Sequence, residues 1–222
     1  MRHQQRTLIV YGIDTYLGRE IARFGRAMGH RMVAVVDGEI PEFNEPWLHG
    51  IHWMTDSDPM IADWPQGPPA AVIYAATVLS GSPRRFQWVL ADRPHRLAQQ
   101  AAQLRGSPRF VLRSTVAQPL LPAAYTSQCR RAETLIADVD IETTILRCPI
   151  LYGPDRPDSA AAMMIAEVLR RIPIRSVARN VPATLRVETA ALAGLRAALE
   201  PDVTGIVEPD DIARLGDVMI PQ

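Results

Sequence analysis

Residues 7–37 read TLIVYGIDTYLGREIARFGRAMGHRMVAVVD, and this stretch decides the fold. It opens on an apolar run at 8–11 that is typical of a strand buried on both faces. A glycine-bearing turn follows, and a helix with apolar residues at helical spacing then ends at Gly29. A second apolar run at 32–36 ends on Asp37. The stretch therefore predicts a β-turn-α-β unit with an acidic residue after its second strand.

This unit has the parts of a dinucleotide-binding site. The start of its helix would face the pyrophosphate, and Asp37 would accept hydrogen bonds from the ribose hydroxyls. The turn residues predicted to contact the cofactor are Gly12, Thr15, Tyr16, Leu17 and Gly18. An ordinary βαβ unit, whose glycines only make a tight turn, shares the same pattern, so the motif alone leaves both readings open.

Composition excludes several classes of protein. A chain of 222 residues with 47% hydrophobic and 22% charged residues predicts one domain with a sizeable core. The formal net charge is zero, so nothing predicts a nucleic-acid partner. No apolar run predicts a signal peptide or a membrane span. Two cysteines without metal spacing predict no metal site and favour reduced thiols in the cytoplasm.

The chain contains no lysine, since all 24 residues counted as Lys+Arg are arginines. Mechanisms that need a lysine are therefore excluded, among them Schiff-base chemistry and the phosphate-binding loop with its Gly-Lys pair.

Further strands and helices alternate along the rest of the chain. Strands are predicted at 51–54, 70–76, 109–112 running into 113–115, 142–146 and 205–207, with an extended piece at 183–187. Helices are predicted at 86–104, with a kink or restart at Pro94, and at 125–138, 160–171, 189–199 and from 212 onward. This alternation predicts an α/β fold, a Rossmann-like doubly wound parallel sheet with helices on both faces. We expect a dinucleotide-binding core at 1–150 and a small C-terminal substrate-side region at 151–222.

The order of these motifs resembles that of the extended or atypical short-chain dehydrogenases/reductases, the group similar to NAD-dependent epimerases and dehydratases. The turn resembles that family's Gly-x-x-Gly-x-x-Gly motif, although Thr15 takes the place of the middle glycine. The other segments that carry the resemblance are VIYAATVLSG at 72–81, RFVLRSTVA at 109–117, YTSQCRRAETLI at 125–136, TTILRCPILYGP at 143–154 and LRVETAALAGLRAAL at 185–199.

The resemblance implies roles for particular residues. Thr115, or Ser114 as second choice, would be the hydroxyl that orients the substrate, and Tyr125 would be the general acid/base. Asp37 would hold the adenosine ribose and so favour NAD over NADP, whose 2′-phosphate it would repel. The other positions implied along the cofactor are Asp56 and Ser57 near the adenine, Ala75 and Ala76, Cys129, and Cys148 with Pro149 near the nicotinamide.

Two departures from the family pattern bear on activity. Cys129 stands where the family keeps the lysine of Tyr-x-x-x-Lys, a positive charge that turns a tyrosine of pKa about 10 into an effective base. Either Arg113 or Arg147 could supply that charge instead. Within the glycine turn, we expect Thr15 to push the cofactor outward, and Asp14 to cap the helix while repelling a phosphate.

Two functions follow from these observations. The first is an NAD-dependent oxidoreductase, epimerase or dehydratase acting on a small hydroxyl- or carbonyl-bearing substrate. The second is a non-catalytic protein of the same fold, a dinucleotide-sensing regulator or an assembly partner, which would act as a homodimer or with another protein. Cys129 and Cys148 are interpreted as core residues, and a redox pair in the cofactor cleft is the alternative.

Overall fold

The structure, a computed structural model, describes residues 5–37, 40, 45–55, 68–78, 81–118, 121–153 and 184–217. Its first unit is the one that opens the sequence. Strand β1 (Thr7–Tyr11) leads through the glycine turn into helix α1 (Tyr16–Ala27), and β2 (Arg31–Val36) follows. The two strands pair in parallel, with Ile9 opposite Val33.

Within the described residues, the main sheet contains seven strands in the order β3-β2-β1-β4-β5-β6-β9, and each neighbouring pair is parallel. Its other strands are β3 (His52–Thr55), β4 (Ala71–Tyr74), β5 (Arg109–Thr115), β6 (Thr143–Cys148) and β9 (Gly205–Val207). Because β1 lies between β2 and β4, the strand order reverses beside β1, which is where ligands bind in such sheets. This arrangement confirms the predicted fold class.

Helices cover both faces of the sheet. Besides α1 they are α2 (Pro83–Gln87), α3 (Arg93–Ala102), α4 (Ala123–Ala137), α5 (Val187–Leu199) and α6 (Pro209–Asp217). Alternate residues of β1 point to opposite faces. Leu8 and Val10 pack with α1, α5 and α6, whereas Ile9 and Tyr11 pack with α3 and α4. A short 3-10 turn (Pro46–Leu48) and a two-stranded pair, β7 (Leu151–Tyr152) with β8 (Leu185–Arg186), complete the described elements.

The predicted helix at 86–104 is divided into two helices joined by a π turn. Helix α2 ends at Gln87, the π turn covers Trp88–Asp92, and α3 begins at Arg93. Pro94 therefore lies in the first turn of α3, where a missing backbone N–H costs little. The break in the helix that the sequence predicted at Pro94 therefore occurs in the preceding π turn.

The described part of the C-terminal region, residues 184–217, packs against the core of the sheet. Helix α5 packs against α1, where Leu195 lies beside Gly25 and Gly194 beside Ile21. Strand β9 adds to the sheet next to β6. The helix predicted at 160–171 lies outside the described residues. Within the described ranges, no helix combines the length and apolar character that crossing a bilayer requires.

Candidate functional site

The glycine turn brings the start of α1 close to the ends of β1 and β4. Gly12 has a φ of +79°, and a Cβ placed there would lie 2.5 Å from the backbone nitrogen of Ala76. A Cβ on Gly18 would collide with the carbonyl oxygen of Gly12. Both positions therefore require glycine, and this close approach leaves the first turn of α1 facing the edge of the sheet.

Thr15 is drawn into the turn and caps α1. Its hydroxyl donates to the carbonyl of Gly12 at 2.6 Å and lies 3.1 Å from the carbonyl of Ala75, while it accepts the Gly18 N–H at 3.2 Å. The prediction that Asp14 caps the helix is wrong, since Asp14 is exposed and Thr15 is the N-cap residue. The physical reason is position, because only the residue directly before the first helical residue can reach the orphan N–H groups.

We expect Thr15→Val, which keeps the shape of the side chain but removes its hydroxyl, to lower the free energy of unfolding by about 1 kcal/mol. The loss arises because the Gly18 N–H no longer has the hydroxyl as its acceptor. Urea unfolding measures it. Thr134→Val on α4 is the matched control, since its exposed hydroxyl bonds only to a carbonyl within the same helix. Equal losses in the two variants would contradict the capping role.

Asp37, the acidic residue after β2, lies at the same edge of the sheet. Its carboxylate Oδ2 is 3.2 Å from Nη1 of Arg93, the first residue of α3. Ala75 and Ala76 follow β4 and pack against the glycine turn, where the Ala75 N–H donates to the carbonyl of Tyr11 at 2.9 Å. Asp56 and Ser57 lie outside the described residues.

Tyr125, in the first turn of α4, lies at the centre of a hydrogen-bonded cluster. Its hydroxyl is 2.8 Å from the hydroxyl of Thr77 and accepts a hydrogen bond from the Arg113 guanidinium. Arg113 also donates to Thr77 at 2.6 Å. The ring of Tyr125 is fully buried and makes an edge contact with Phe86. The positive charge that the sequence assigned to either of two arginines is therefore that of Arg113.

Arg113 keeps its charge in this setting. Burial opposes the charged form, but the neighbouring Tyr125, Cys148 and Cys129 outweigh it and raise the pKa of Arg113 above its ordinary value. The guanidinium is therefore a fixed cation beside the phenol hydroxyl.

Thr77 is a member of this cluster that sequence reasoning missed. It follows the paired alanines of the fourth-strand segment and so ends at the same edge of the sheet as Tyr125. Its position directly after the two alanines could have indicated that Thr77 lies near Tyr125. Thr115, the predicted catalytic hydroxyl, is instead buried at the end of β5, where its hydroxyl lies 3.3 Å from the carbonyl of Cys148 and 3.1 Å from that of Val116.

Ser114 belongs to a second polar cluster, centred on the buried carboxylate of Glu133. The Ser114 hydroxyl donates to Glu133 Oε1 at 2.5 Å, and Arg147 donates to Glu133 Oε2 at 2.6 Å. Arg130 also pairs with Glu133 and donates to the carbonyl of Thr115 at 2.7 Å. Helix α4, β5 and β6 are thereby joined through one carboxylate, another contact that sequence reasoning missed.

The charges around Glu133 decide its ionisation. Burial alone would raise the pKa of Glu133, but hydrogen bonds from Arg147 and Ser114, together with the charge of Arg130, lower it below the ordinary value. Arg147 is further held by Glu208 at 2.7 Å. Arg147 therefore pairs with the carboxylates of Glu133 and Glu208, whereas Arg113 pairs with Tyr125.

Comparisons with known proteins agree with this architecture. A short-chain dehydrogenase/reductase superfamily protein from Agrobacterium tumefaciens, crystallised with bound NAD, aligns with a TM-score of 0.63 at 15% identity, over 91% of this chain and 77% of its own. An epimerase candidate from Burkholderia cenocepacia J2315 aligns with a TM-score of 0.68 at 17% identity, over 98% of this chain and 82% of its own. The chain has the short-chain dehydrogenase/reductase fold.

Sequence similarity reaches a smaller part of the chain. The ceramide reductase of Caulobacter vibrioides (strain NA1000 / CB15N) is 33% identical over 123 residues, which are 54% of this chain. The chain spans 38% of the length of that curated relative. No protein-family model matches the chain.

Within this short-chain dehydrogenase/reductase fold, both cysteines lie in the core. Cys129 packs with Tyr125 and Phe86, whereas Cys148 packs in the cluster on the α1 face of the sheet. Burial raises the pKa of each thiol to about 11. Each is thus a neutral packing group near pH 7, which favours the core interpretation over the redox pair. Pro149 is buried directly after Cys148.

Proposed function

We propose that the chain is an NAD-dependent oxidoreductase that acts on a hydroxyl- or carbonyl-bearing small molecule. The observation that carries this proposal is the hydrogen bond from the Arg113 guanidinium to the hydroxyl of Tyr125. In this arrangement Tyr125 is the acid/base and Arg113 supplies the charge of the lysine that the chain lacks.

A guanidinium in place of the lysine ammonium keeps the positive charge but does not transfer a proton. A cation at hydrogen-bonding distance stabilises a phenolate relative to a neutral phenol, as an ammonium does. Arginine does not release its proton near neutral pH, so Arg113 acts as a fixed charge rather than as a member of a proton relay. The hydroxyl of Thr77 gives the phenolate a second hydrogen bond.

The proton steps follow from these contacts. NAD, when bound in its reduced form, supplies the hydride for a carbonyl carbon. Tyr125 donates its proton to the carbonyl oxygen as the carbonyl carbon receives the hydride. The resulting phenolate is stabilised by hydrogen bonds from Arg113 and Thr77. The phenol then regains a proton from solvent. Since Tyr125 is fully buried, the side chains that cover it must move when substrate enters.

The residues at the edge of the sheet fit a dinucleotide. The close approach at Gly12 and Gly18 leaves the first turn of α1 directed at the sheet edge, a position that suits a pyrophosphate. The side chain of Thr15 is turned back into the turn, so its hydroxyl adds little bulk at this face. Asp37 presents its carboxylate for the ribose hydroxyls, which favours NAD. The NAD bound to the Agrobacterium tumefaciens protein of the same fold supports this assignment.

The partial similarity to a ceramide reductase supports carbonyl reduction over epimerisation or dehydration. The two free, buried thiols suit a reducing compartment such as the cytoplasm.

Two observations favour a second function. Tyr125 is fully buried and the hydroxyl of Thr115 lies against backbone carbonyls, as suits a protein of this fold that binds a dinucleotide without turning over a substrate. Such a protein would be a sensor or assembly partner, acting as a homodimer or with another protein.

Titration of the purified protein with NAD, NADH, NADP and NADPH tests cofactor binding. A dinucleotide at 100 times its dissociation constant is expected to stabilise the fold by about 2.7 kcal/mol, seen as a rise in melting temperature. Absence of binding by all four would refute the proposed function.

Turnover separates the enzyme from the sensor. With a carbonyl substrate identified by following NADH absorbance, Tyr125→Phe is expected to abolish turnover and to leave NADH affinity within a few-fold of the original. Undiminished turnover in Tyr125→Phe would refute Tyr125 as the acid/base. Binding of NADH without turnover across a broad carbonyl panel would favour the sensor.

A further inference from the structure

A cavity of about 650 Å³ lies at the end of the sheet opposite the candidate functional site. It is lined at the starts of four strands, by Thr7 of β1, Arg31 of β2, Ala70 before β4 and Arg109 of β5. Because these strands are parallel, the cavity lies at the amino edge of the sheet, whereas the glycine turn and Asp37 lie at the carboxyl edge. Its volume falls within the range of about 300–1,000 Å³ that is usual for small-molecule sites.

The lining of this amino-end cavity is cationic. The described residues that line it include three arginines, Arg6, Arg31 and Arg109, and no acidic residue. Nη1 of Arg6 donates to the carbonyl oxygen of Leu199, the last residue of α5, at 3.0 Å. Since a carbonyl oxygen carries no formal charge, this bond positions the exposed guanidinium of Arg6 without cancelling its charge.

Arg109 forms a fixed wall of the cavity. It donates to the carbonyl oxygen of Val203 at 2.6 Å and also to that of Glu200, and its Nη2 lies 3.0 Å from Oε1 of Glu142. Its side chain is only 10% exposed. The charge of Arg109 is therefore partly compensated by Glu142, and Arg6 and Arg31 are the more exposed cations of the lining.

We propose that the amino-end cavity binds a small phosphate monoester whose organic part is apolar. Near pH 7 a phosphate monoester carries a charge of about −1.5 to −2 and has three acceptor oxygens. Guanidinium groups match these oxygens through parallel hydrogen bonds. The two cations of Arg6 and Arg31 therefore suit a phosphate better than the single charge of a carboxylate.

The apolar part of the lining specifies the rest of the ligand. Pro68, Ala70 and Leu199 line the cavity beside the arginines. Such side chains offer an apolar group favourable contacts and no hydrogen bonds. Because the cavity and the candidate functional site lie at opposite edges of the sheet, this inference does not depend on the proposed function.

Calorimetric titration with phenyl phosphate, in a phosphate-free buffer at one fixed ionic strength, tests the site. We expect phenyl phosphate to bind more tightly than inorganic phosphate, which lacks the apolar part, and more tightly than benzoate, which carries a single charge. Arg6→Gln is expected to raise the dissociation constant of phenyl phosphate about tenfold, as the loss of a charge-assisted hydrogen bond does. The double variant Arg6→Gln with Arg31→Gln is expected to abolish measurable binding.

Arg214→Gln is the matched control, because it removes an exposed arginine of α6 that does not line the cavity. It is expected to leave the affinity unchanged. Melting curves accompany each titration, and Arg6→Gln, on an exposed side chain, tests the site by itself should the double variant fail to fold. No binding of phenyl phosphate to the original protein, or equal affinities in Arg6→Gln and Arg214→Gln, would overturn the inference.

A second titration, in the presence of saturating NADH, separates the two sites. We expect phenyl phosphate to bind with the same affinity as without NADH. Displacement of phenyl phosphate by NADH would assign it to the dinucleotide site and overturn the inference while leaving the proposed function intact. Failure of the protein to bind any dinucleotide, with phenyl phosphate binding still lost in Arg6→Gln, would refute the proposed function alone.

Discussion

Arg113→Met is expected to lower turnover by about 10²- to 10⁴-fold, the range that a positioned acid/base contributes to catalysis. The substitution keeps the unbranched apolar stem of the side chain but removes the cation that hydrogen-bonds the hydroxyl of Tyr125. The phenolate formed after proton donation then has the Thr77 hydroxyl as its described partner and loses its compensating charge. Steady-state oxidation of NADH by a carbonyl substrate measures the effect.

The lysine variant is the matched control. Arg113→Lys retains a cation at the same place and is expected to recover much of the lost rate, because the required property is the charge. Melting temperature and NADH affinity are measured in parallel, since a loss of either would mimic a catalytic defect. Full turnover in a folded Arg113→Met protein would show that Tyr125 needs no cation and would refute this role.

Glu133→Ala is expected to lower the free energy of unfolding by about 3–5 kcal/mol, the usual cost of removing one partner of a buried ion pair. The carboxylate is buried and accepts from Ser114, Arg130 and Arg147, so its loss removes the acceptor that these three donors share between α4, β5 and β6. Urea unfolding at pH 7 measures the change. Glu208→Ala is the control, because this exposed partner of Arg147 should cost less than about 1 kcal/mol. Comparable losses in the two variants would contradict the central role of Glu133.

The same carboxylate gives stability a predictable pH dependence. Because its pKa is lowered in the folded protein, the ionised Glu133 contributes stability above its ordinary value of 4.5, and this contribution is lost as the pH falls through the folded value. Glu133→Gln lacks the contribution at every pH. The difference in unfolding free energy between the original protein and Glu133→Gln should therefore be largest near pH 7 and shrink below about pH 4.5. A difference that grows on acidification would refute the ionised state of Glu133.

The fold was predictable from local patterns of apolar residues in the sequence. Each strand predicted from an apolar run overlaps a strand of the sheet, and β5 continues to Thr115 as the sequence indicated. The predictions of β1, β2 and β4 succeed because strands buried on both faces form nearly continuous apolar runs. The position of the π turn was not predictable in the same way, since hydrophobic periodicity does not distinguish one extra residue in a helix from a restart at Pro94.

The polar contacts of the site depend on distances between elements that are remote in sequence. Arg113 and Arg147 both lie near the carboxyl ends of strands beside the predicted site, and the spacing of residues did not distinguish between them. The register of β5 against β6 and the placement of α4 separate them, giving Arg113 to Tyr125 and Arg147 to Glu133. The ion pair between Arg93 and Asp37 was not predictable for the same reason, because the two residues are remote in sequence.

The packing of α5 on α1 has a consequence for how the chain is made. Helix α1 is complete once residue 27 has been synthesised, but its apolar face is covered by a helix that ends at residue 199. A ribosome adds about 5–20 residues per second, so this face waits roughly 10–30 s for its partner. During that interval the half-built sheet exposes an apolar surface inside the cell.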